Sequence, residues 1–363
     1  MKRILIVGGY GEAGKAIARL LLRHTDTEIT IAGRRGEQAS RCAEELCSES
    51  QSARANAQEV DASDPDQVRR TVAGFDLVVL ATPTVQHVRV VAEAAIVSGA
   101  DFLDIQISPA RLPVLLALEP QAHAAGRLII TEAGAHPGLA SAVVRFAHAQ
   151  LGPLRAARVA MRMNVVFPAV TEALLEFARD LLNYRCVEYR DGGWHSVSSW
   201  STRRVDFGPQ MGAHPCIPIE MPELLSLPAQ LGLDELSALV AGFHWFTDWV
   251  VFPLGIVIAR VNRGLGARFI AAALSWSSRR LLRPPFGVAI KLEAEPRADG
   301  DGMNLLIADA DGYFLTAAPV VACLLQYLDD TARRTGVHLM GHLVDPVRFL
   351  RDLQRLGLGV EQL

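Results

Sequence analysis

Short apolar runs alternate with helical patterns over the first 135 residues of the chain. Helical spacing of apolar positions predicts helices at 12–23, 37–50, 65–73, 84–98, 111–125 and 139–150. Between them, runs rich in Ile, Val and Leu predict strands at 3–7, 28–32, 55–60, 77–81, 102–105 and 128–130. Nearly continuous apolar strands are typical of a parallel sheet that helices cover on both faces. The pattern therefore predicts a doubly wound α/β domain over residues 1–150.

The pattern changes after residue 150. Longer strands are predicted at 155–165 and 186–200, the second with a turn at Asp191-Gly192-Gly193, and a further hairpin joins 288–295 to 305–309. The chain then becomes helical again. Thr316 is the predicted N-cap of a helix to about residue 330, and Asp345-Pro346 begins another. We expect an α+β substrate and dimerisation domain at 151–312, and C-terminal helices at 313–363 that pack back on the first domain.

A strongly apolar segment lies at residues 238–259, where His244, Thr247 and Asp248 are the clear polar residues. Its length is close to that of a membrane span. Asp248 near its middle and Pro253 further along disfavour insertion. We expect a buried helix or a dimer-interface helix here. Contact with a membrane surface or with an acyl substrate is the alternative.

The composition fits a globular protein with a large core. Half of the residues are hydrophobic, 21% are charged and the formal net charge is −3, so no basic excess indicates a nucleic-acid partner. The cationic residues are 33 arginines and only three lysines, which leaves few candidates for Schiff-base chemistry. The five cysteines form no CxxC pair, and the apolar run after Arg3 is too short for a signal peptide. We therefore expect reduced thiols and a cytoplasmic location.

A glycine-rich turn follows the first predicted strand and opens the first predicted helix. In such GxGxxG turns, the first glycine allows a tight turn, the second lets backbone approach a pyrophosphate, and the third lets the helix pack on the strand. The helix N-terminus then offers N–H groups to the phosphates. This setting predicts a Rossmann domain that binds a dinucleotide. Its loop reads Gly9-Tyr10-Gly11-Glu12-Ala13-Gly14.

The same residues also fit part of the P-loop of nucleoside triphosphatases. Gly9, Gly14 and Lys15 satisfy its G-x4-G-K core. A P-loop requires a Ser or Thr hydroxyl at the next position to bind Mg²⁺, and this chain has Ala16 there. The missing hydroxyl disfavours a nucleoside triphosphatase.

The end of the second predicted strand discriminates between NAD and NADP. Proteins that bind NAD place an acidic residue there to hold the ribose 2′-hydroxyl. This chain has Gly33-Arg34-Arg35 instead. Gly33 leaves room for a 2′-phosphate, and an arginine guanidinium binds phosphate in a bidentate manner. We therefore predict NADP(H) as the cofactor, the alternative being that Arg34 and Arg35 are ordinary loop arginines.

Further cofactor contacts are predicted where the other strands end, because the carboxyl ends of parallel strands open onto the ligand crevice. After the third strand, Asp61 is a candidate contact for the adenine, or else a cap of the strand end. Thr82 is a candidate after the fourth strand, with a helix cap as its alternative. The full set after the fourth and fifth strands is Ala81, Thr82, Pro83 and Gln106.

In these motifs the chain resembles the saccharopine dehydrogenase-like family. The likeness covers about 150 residues. A second, less diagnostic likeness covers residues 313–349. It implies hydride transfer with NADP(H), in a homodimer whose second domain covers the nicotinamide and carries substrate residues. The matching stretches are GGYGEAGKAIARLL (8–21), IAGRR (31–35), VDASD (60–64), DLVVLATP (76–83), DFLDI (101–105) and EAGAHPGLASAVV (132–144).

One departure from the family pattern concerns the substrate. Saccharopine-forming members usually have Gly-x-Asp-Pro-Gly where this chain has Gly134-Ala135-His136-Pro137-Gly138. The histidine in place of the acid argues against saccharopine as the substrate, and so does the apolar middle domain. In that domain the chain is partly similar to trans-acting enoyl reductases, which act on lipid-like acyl chains.

Hydride addition to C=N, C=O or an activated C=C requires a proton donor or a group that stabilises charge. Histidine titrates near neutrality and suits this role. The candidates are His136 and Glu132, on the loop after the sixth predicted strand, and His214 in the second domain. A structural role is the alternative for each. No metal is expected, because His338 and His342 have a ligand-like spacing but no third ligand nearby.

Together these features predict a cytoplasmic NADP(H)-dependent oxidoreductase that transfers hydride to or from an imine or amine centre. Its expected partners are a small-molecule substrate and a second copy of the chain. An enoyl reductase acting on a lipid-like acyl chain is the alternative reaction. A non-catalytic NADP-binding regulatory protein is the alternative class.

Overall fold

The computed structural model describes residues 1–82, 85–105 and 110–363. The chain forms two compact units. The first comprises residues 1–142 and 313–357, and the second comprises residues 143–312 and 358–363. The division between them falls inside one helix, at Ala142 and Val143.

The strands have the following bounds in chain order: β1 Arg3–Val7, β2 Glu28–Gly33, β3 Ala55–Glu59, β4 Leu77–Leu80, β5 Asp101–Asp104, β6 Leu128–Thr131, β7 Leu154–Asn164, β8 Val187–Arg190, β9 Gly193–Ser196, β10 Arg203–Asp206, β11 Ala213–Ile219, β12 Glu235–Ala241, β13 Gly287–Pro296, β14 Met303–Asp309, β15 Gly336–Leu339 and β16 Gly359–Gln362.

The α-helices are α1 Glu12–His24, α2 Gly36–Ser50, α3 Pro65–Val72, α4 Val88–Val97, α5 Arg111–Leu116, α6 Glu119–Ala125, α7 Leu139–Leu151, α8 Glu172–Leu181, α9 Gly208–Met211, α10 Leu227–Leu231, α11 Phe252–Val261, α12 Arg263–Leu281, α13 Gly312–Leu328, α14 Met340–Leu343 and α15 Pro346–Arg355. Short 3-10 helices lie at Val85–His87 and Pro222–Leu224, and a π-helical turn lies at Thr247–Val251.

The first unit is a doubly wound α/β fold, as predicted. Its sheet has the order β15-β6-β5-β4-β1-β2-β3, and every neighbouring pair is parallel. Ile4, Leu5 and Ile6 on β1 are fully buried, because helices cover both faces. The connections change direction between β1 and β4, and that switch point is where such sheets bind ligands.

The C-terminal part of the first unit differs from the sequence prediction in two respects. The sequence pattern did not predict β15, which extends the sheet beside β6. Thr316 is not an N-cap, because α13 begins at Gly312 and Thr316 lies within it. The predicted cap at Asp345 is confirmed, since its carboxylate accepts a hydrogen bond of 2.7 Å from the Arg348 N–H.

The second unit contains a mixed sheet with the order β10-β11-β12-β7-β13-β14-β16 and a hairpin of β8 and β9 beside β12. The central strand β7 is parallel to β12 and antiparallel to β13. The predicted turn at 191–193 and the predicted hairpin that joins 288–295 to 305–309 are confirmed. The predicted strand pair at 186–200 is shorter than expected, because β9 ends at Ser196.

The apolar segment 238–259 is not the single helix that the sequence suggested. It comprises the buried end of β12, a loop, the π-helical turn and most of α11. Asp248 accepts a hydrogen bond of 3.0 Å from the Phe243 N–H, and burial raises the pKa of its carboxyl to about 6. Among the described residues, no helix combines the length and apolarity that crossing a bilayer requires.

Candidate functional site

The turn from β1 into α1 is so tight that positions 8 and 14 require glycine. Gly8 has a positive φ of 84° and donates its N–H to the Ala32 carbonyl at 2.7 Å. A Cβ on Gly14 would lie 2.6 Å from the Gly8 carbonyl oxygen and 2.8 Å from Gly9 Cα. Since both neighbours are backbone atoms, the third glycine of the motif is what lets α1 pack against the loop.

The N-terminus of α1 is open toward solvent. Gly11 is its N-cap and has no side chain to accept from the first helical N–H groups. Gly11 and Glu12 are exposed, and Ala13 is half-buried. Uncapped N–H groups at a helix start form an anion-binding site, as a pyrophosphate requires.

Lys15 does not complete a P-loop. Its Nζ donates to Glu45, and this hydrogen bond is the main reason that the pKa of Lys15 is raised. The ammonium group is therefore committed to a neighbouring helix. With Ala16 next in the chain, the loop lacks both polar groups that a nucleoside triphosphatase uses on its phosphates.

The loop after β2 packs against the phosphate loop. A Cβ built on Gly33 would lie 2.4 Å from Tyr10 Cε1. The guanidinium carbon of Arg35 lies 5.5 Å from the centre of the same ring. Arg34 and Arg35 are both exposed, so their guanidinium groups are accessible to a phosphate beside Gly33.

Asp61 is engaged in the turn that leads to α3. Its carboxylate accepts hydrogen bonds from the Ser63 N–H at 2.9 Å and the Ser63 hydroxyl at 2.7 Å. These bonds, with a smaller contribution from Arg34, lower the pKa of Asp61. This is the capping role that the sequence left as the alternative, and contact with adenine remains a prediction.

Thr82 brings an unpaired hydroxyl to the phosphate loop. The Thr82 Oγ1 atom is buried and has no hydrogen-bond partner among the described residues. A Cβ on Gly8 would lie 2.9 Å from Thr82 Cγ2 and 2.7 Å from the Ala81 carbonyl oxygen. The end of β4 therefore lies directly against the loop. Pro83 and Gln106, the other two candidates of this group, lie outside the described residues.

A buried ion pair at the end of β5 was not predicted from the sequence. Arg111 Nη1 donates to Asp104 Oδ1 at 2.6 Å, and both side chains are about 1% exposed. Arg111 Nη2 also donates to the Thr82 carbonyl at 3.2 Å. The pair thus ties α5 to the ends of β4 and β5. The available signal was an acid at a strand end followed by an arginine near the next helix.

The loop after β6 folds back on itself. Glu132 is buried and has a φ of 50°, a left-handed conformation that is strained for glutamate. A Cβ on Gly138 would lie 2.5 Å from the Glu132 carbonyl oxygen. The Ala133 N–H donates to the Asp104 carbonyl at 3.2 Å, which fixes the start of this loop beside β5. Glu132 and Asp104 are therefore carboxyl groups at the ends of adjacent strands.

His136 lies on this loop in a desolvated position. Its side chain is half-buried, and burial lowers its pKa to about 4. The expectation that this histidine titrates near neutrality is corrected, because desolvation moves its pKa from about 6.5 to about 4. A catalytic role for His136 or for Glu132 remains a prediction.

His214 belongs to the second unit, at the start of β11. Its Nε2 lies 3.0 Å from the Met211 carbonyl oxygen, so that ring nitrogen donates a hydrogen bond to backbone. The bond holds the ring against its own segment. Its proposed part in catalysis is untested.

The geometry of the first unit agrees with the comparisons with known proteins. Residues 4–130 match the family model described as the saccharopine dehydrogenase NADP binding domain. The first unit contains a saccharopine dehydrogenase NADP-binding domain. The saccharopine dehydrogenase-like resemblance found in the sequence motifs is thus confirmed for this domain. A comparison with curated protein sequences gave no significant match.

Solved structures extend the likeness to the whole chain. An apo saccharopine dehydrogenase (L-Glu forming) from Saccharomyces cerevisiae matches with a TM-score of 0.69 and 16% identity, covering 100% of both chains. This match shows a shared fold. A short-chain type dehydrogenase/reductase from Mycobacterium ulcerans matches with a TM-score of 0.31 and 15% identity, over 36% of this chain and 66% of that one.

NADP(H) is the cofactor of this NADP-binding domain, and the described residues fit it. The glycine loop leaves a cradle at Gly8 and Gly14 that a Cβ would fill. The uncapped start of α1 suits the pyrophosphate, and the Thr82 hydroxyl is buried without a partner beside it. Arg34 and Arg35 are exposed next to Gly33, where the 2′-phosphate requires cations.

Proposed function

We propose that the chain is an NADP(H)-dependent oxidoreductase that transfers hydride to or from a C–N centre. The NADP-binding domain and the full-length fold match support the broader part of this statement, an NADP oxidoreductase. When bound, the nicotinamide supplies or accepts the hydride. The choice of a C–N bond rests on the chain's own groups after β6, Glu132 and His136.

The low pKa of His136 carries that choice. Hydride addition to a carbonyl leaves an alkoxide, which needs a proton from a nearby acid. With a pKa of about 4, His136 is almost entirely deprotonated at pH 7, so it carries no imidazolium proton to give to an alkoxide. Hydride addition to a protonated imine gives a neutral amine and needs no acid in that step. An iminium acceptor therefore suits this loop better than a ketone.

The buried carboxyl group of Glu132 supports the same choice. Glu132 is about 5% exposed and lies at the start of the loop that carries His136. An iminium cation bound beside this carboxyl group would favour its ionised form, and the resulting carboxylate would stabilise the cation.

Reduction of an activated C=C is the second candidate. The observation that favours it is the exposed apolar surface of α11, where Leu254 and Val257 are 46% and 55% exposed. A lipid-like acyl substrate would be compatible with such a surface. The C–N reaction is preferred because the Glu132 carboxyl group suits a cationic acceptor and because reduction of an iminium group needs no acid from His136.

Consumption of NADPH with three kinds of acceptor tests the proposal. The protein is mixed with NADPH and with an oxo acid plus an amine, an oxo acid alone, or an enoyl thioester. We expect turnover only with the oxo acid and amine together. Turnover with the oxo acid alone, or with the thioester alone, would reject the C–N assignment. NADPH binding without turnover on any acceptor would favour a regulatory protein.

A further inference from the structure

The helix α11 exposes apolar side chains that a folded chain normally buries. Within α11, which is described in full, Gly255 is the only buried residue. Leu254, Val257 and Val261 are 46%, 55% and 90% exposed. They follow one another at intervals of three and four, so they form a stripe along one side of the helix.

The opposite side of α11 is used for packing on α12, which explains why the stripe faces solvent. A Cβ on Gly255 would lie 2.4 Å from Ile270 Cγ1, and a Cβ on Gly266 would lie 2.5 Å from Ala259 Cβ. The two helices therefore approach closely through small residues. α12 in turn packs on α8, and their shared buried cluster is Leu174, Ala178, Ala267, Ile270, Ala271 and Leu274.

Exposed tryptophans lie beside the apolar stripe. Trp245 and Trp249, in the helical turns just before α11, are 64% and 60% exposed. The rings of Trp200 and Trp249 lie with their centres 5.2 Å apart and a tilt of 32° between their planes. Trp200 is itself 71% exposed, and Trp276 on α12 is 48% exposed. Four of the five tryptophans in the chain are thus exposed in this part of the second unit. Tryptophan is enriched at the interface between a bilayer and water.

The same segment is strongly cationic. From Trp249 to Ile290 the sequence contains no Asp or Glu, although the whole chain has a net charge of −3. Its six arginines are all exposed. Among the described residues they form no ion pair with a carboxylate, although Arg263 donates to the Asn183 side chain and Arg279 to the Ser275 carbonyl. They are Arg260, Arg263, Arg268, Arg279, Arg280 and Arg283. A segment that combines an apolar stripe with exposed cations is complementary to an anionic, partly apolar surface.

We propose that α11 and the start of α12, together with Trp245 and Trp249, bind the surface of an anionic lipid bilayer. Contact is interfacial, since no described helix has the length and apolarity to cross a bilayer. A symmetric dimer through this face would place the arginines of one copy against those of the other, which costs free energy. The competing outcome of the test is a dimer in which the arginines of one copy face the carboxylates of α8 in a second copy. These carboxylates are Glu172, Glu176 and Asp180.

Flotation of the full-length protein with lipid vesicles tests the proposal. We expect binding to phosphatidylcholine vesicles that contain about 30 mol% phosphatidylglycerol, little binding to phosphatidylcholine alone, and release at about 0.5 M NaCl. Binding that is equal on both vesicles would overturn the proposal. An absence of binding to either vesicle would also overturn it, and self-association that replacement of Val257 abolishes would then identify a second copy as the occupant of this surface.

The cationic part is tested by neutralising three of the arginines. Each arginine near an anionic surface strengthens binding about fivefold, so three replacements should weaken vesicle binding roughly 100-fold. The test protein is Arg260→Gln/Arg263→Gln/Arg268→Gln. A control with the same change in net charge, made at exposed arginines of the first unit, should bind as the wild type does. That control is Arg23→Gln/Arg334→Gln/Arg351→Gln. Equal weakening by the two triple variants would contradict a local surface.

The apolar part is tested by Leu254→Ser/Val257→Ser/Val261→Ser. These positions are exposed, so the fold should persist by circular dichroism while vesicle binding falls at least about tenfold. Val97→Ser, at an 80% exposed valine of the first unit, is the control and should bind normally. Lipid insertion should also shift tryptophan emission to shorter wavelength in the wild type. An unshifted emission in the bound state would contradict insertion of Trp245 and Trp249.

Discussion

Gly33 lies directly against the ring of Tyr10, so that any side chain at position 33 would displace the ring from its place in the phosphate loop. A Cβ there would come within 2.4 Å of Tyr10 Cε1. Arg35 covers the same ring, with its guanidinium carbon 5.5 Å from the ring centre. The loop after β2 and the phosphate loop therefore form one surface. This contact gives a steric reason for glycine where NAD-binding proteins have an acid.

The first prediction concerns the choice between NADPH and NADH. The double variant Arg34→Ala/Arg35→Ala should raise the dissociation constant of NADPH about 10- to 150-fold, since charge-assisted hydrogen bonds to the 2′-phosphate are lost. NADH binding should change little. Titration calorimetry with both cofactors measures this, with Arg23→Ala as an exposed control on α1. Equal weakening for the two cofactors would contradict the assignment.

The second prediction concerns the third glycine of the loop. Gly14→Ala should abolish measurable NADPH binding, because its Cβ would lie 2.6 Å from the Gly8 carbonyl oxygen and the loop would have to open. Gly300→Ala is a matched control, since nothing lies within 4 Å of a Cβ at Gly300. Fluorescence titration with NADPH compares the two. Binding by Gly14→Ala at wild-type strength would show that helix and loop are not packed as described.

The third prediction concerns the buried pair of Asp104 and Arg111. Arg111→Leu should lower the free energy of unfolding by about 3–5 kcal/mol, because it leaves the Asp104 carboxyl buried without its cation. Arg89→Leu removes an exposed ion pair with Glu93 and should cost less than about 1 kcal/mol. Urea unfolding gives both values. Similar losses in free energy of unfolding for the two variants would mean that the buried pair contributes no more to stability than the exposed pair does.

The fourth prediction concerns the pH dependence of stability. An unfolded histidine titrates near pH 6.5 and His136 in the folded chain near 4, so between these values only the unfolded chain takes up the proton. Acidification through this window therefore favours unfolding, by roughly 2 kcal/mol at pH 5 relative to pH 7. His136→Asn should reduce this loss in urea unfolding at the two pH values. The exposed control His195→Asn should keep it. If His136→Asn lost as much stability between pH 7 and pH 5 as the wild type does, the low pKa of His136 would be refuted.

The first unit could be predicted in detail because its signals are local. Apolar runs such as Ile4-Leu5-Ile6 stay apolar on both faces, and glycines mark the turn into α1. By contrast, β15 has only four residues and joins β6 from more than two hundred residues later in the chain. Pairing of that kind depends on tertiary packing. No local pattern identifies it.

The site was predictable to the extent that it depends on motif residues. The glycines and Thr82 lie together as expected, since strand ends meet at one edge of the sheet. The ionisation of His136 and the pairing of Arg111 with Asp104 depend on burial, which the sequence order does not reveal. The helix expected over 238–259 was wrong because β12 and α11 are both apolar, and an apolar run alone does not distinguish strand from helix. The homodimer stays a prediction.

Transfer of deuterium from labelled NADPH tests the central claim most directly. NADPH carrying deuterium at the transferred position of the nicotinamide is incubated with the protein, an oxo acid and an amine, and the product is examined by mass spectrometry and NMR. The account predicts a secondary amine with deuterium on the carbon bonded to nitrogen. Deuterium on a carbinol carbon or on a saturated acyl carbon would contradict it.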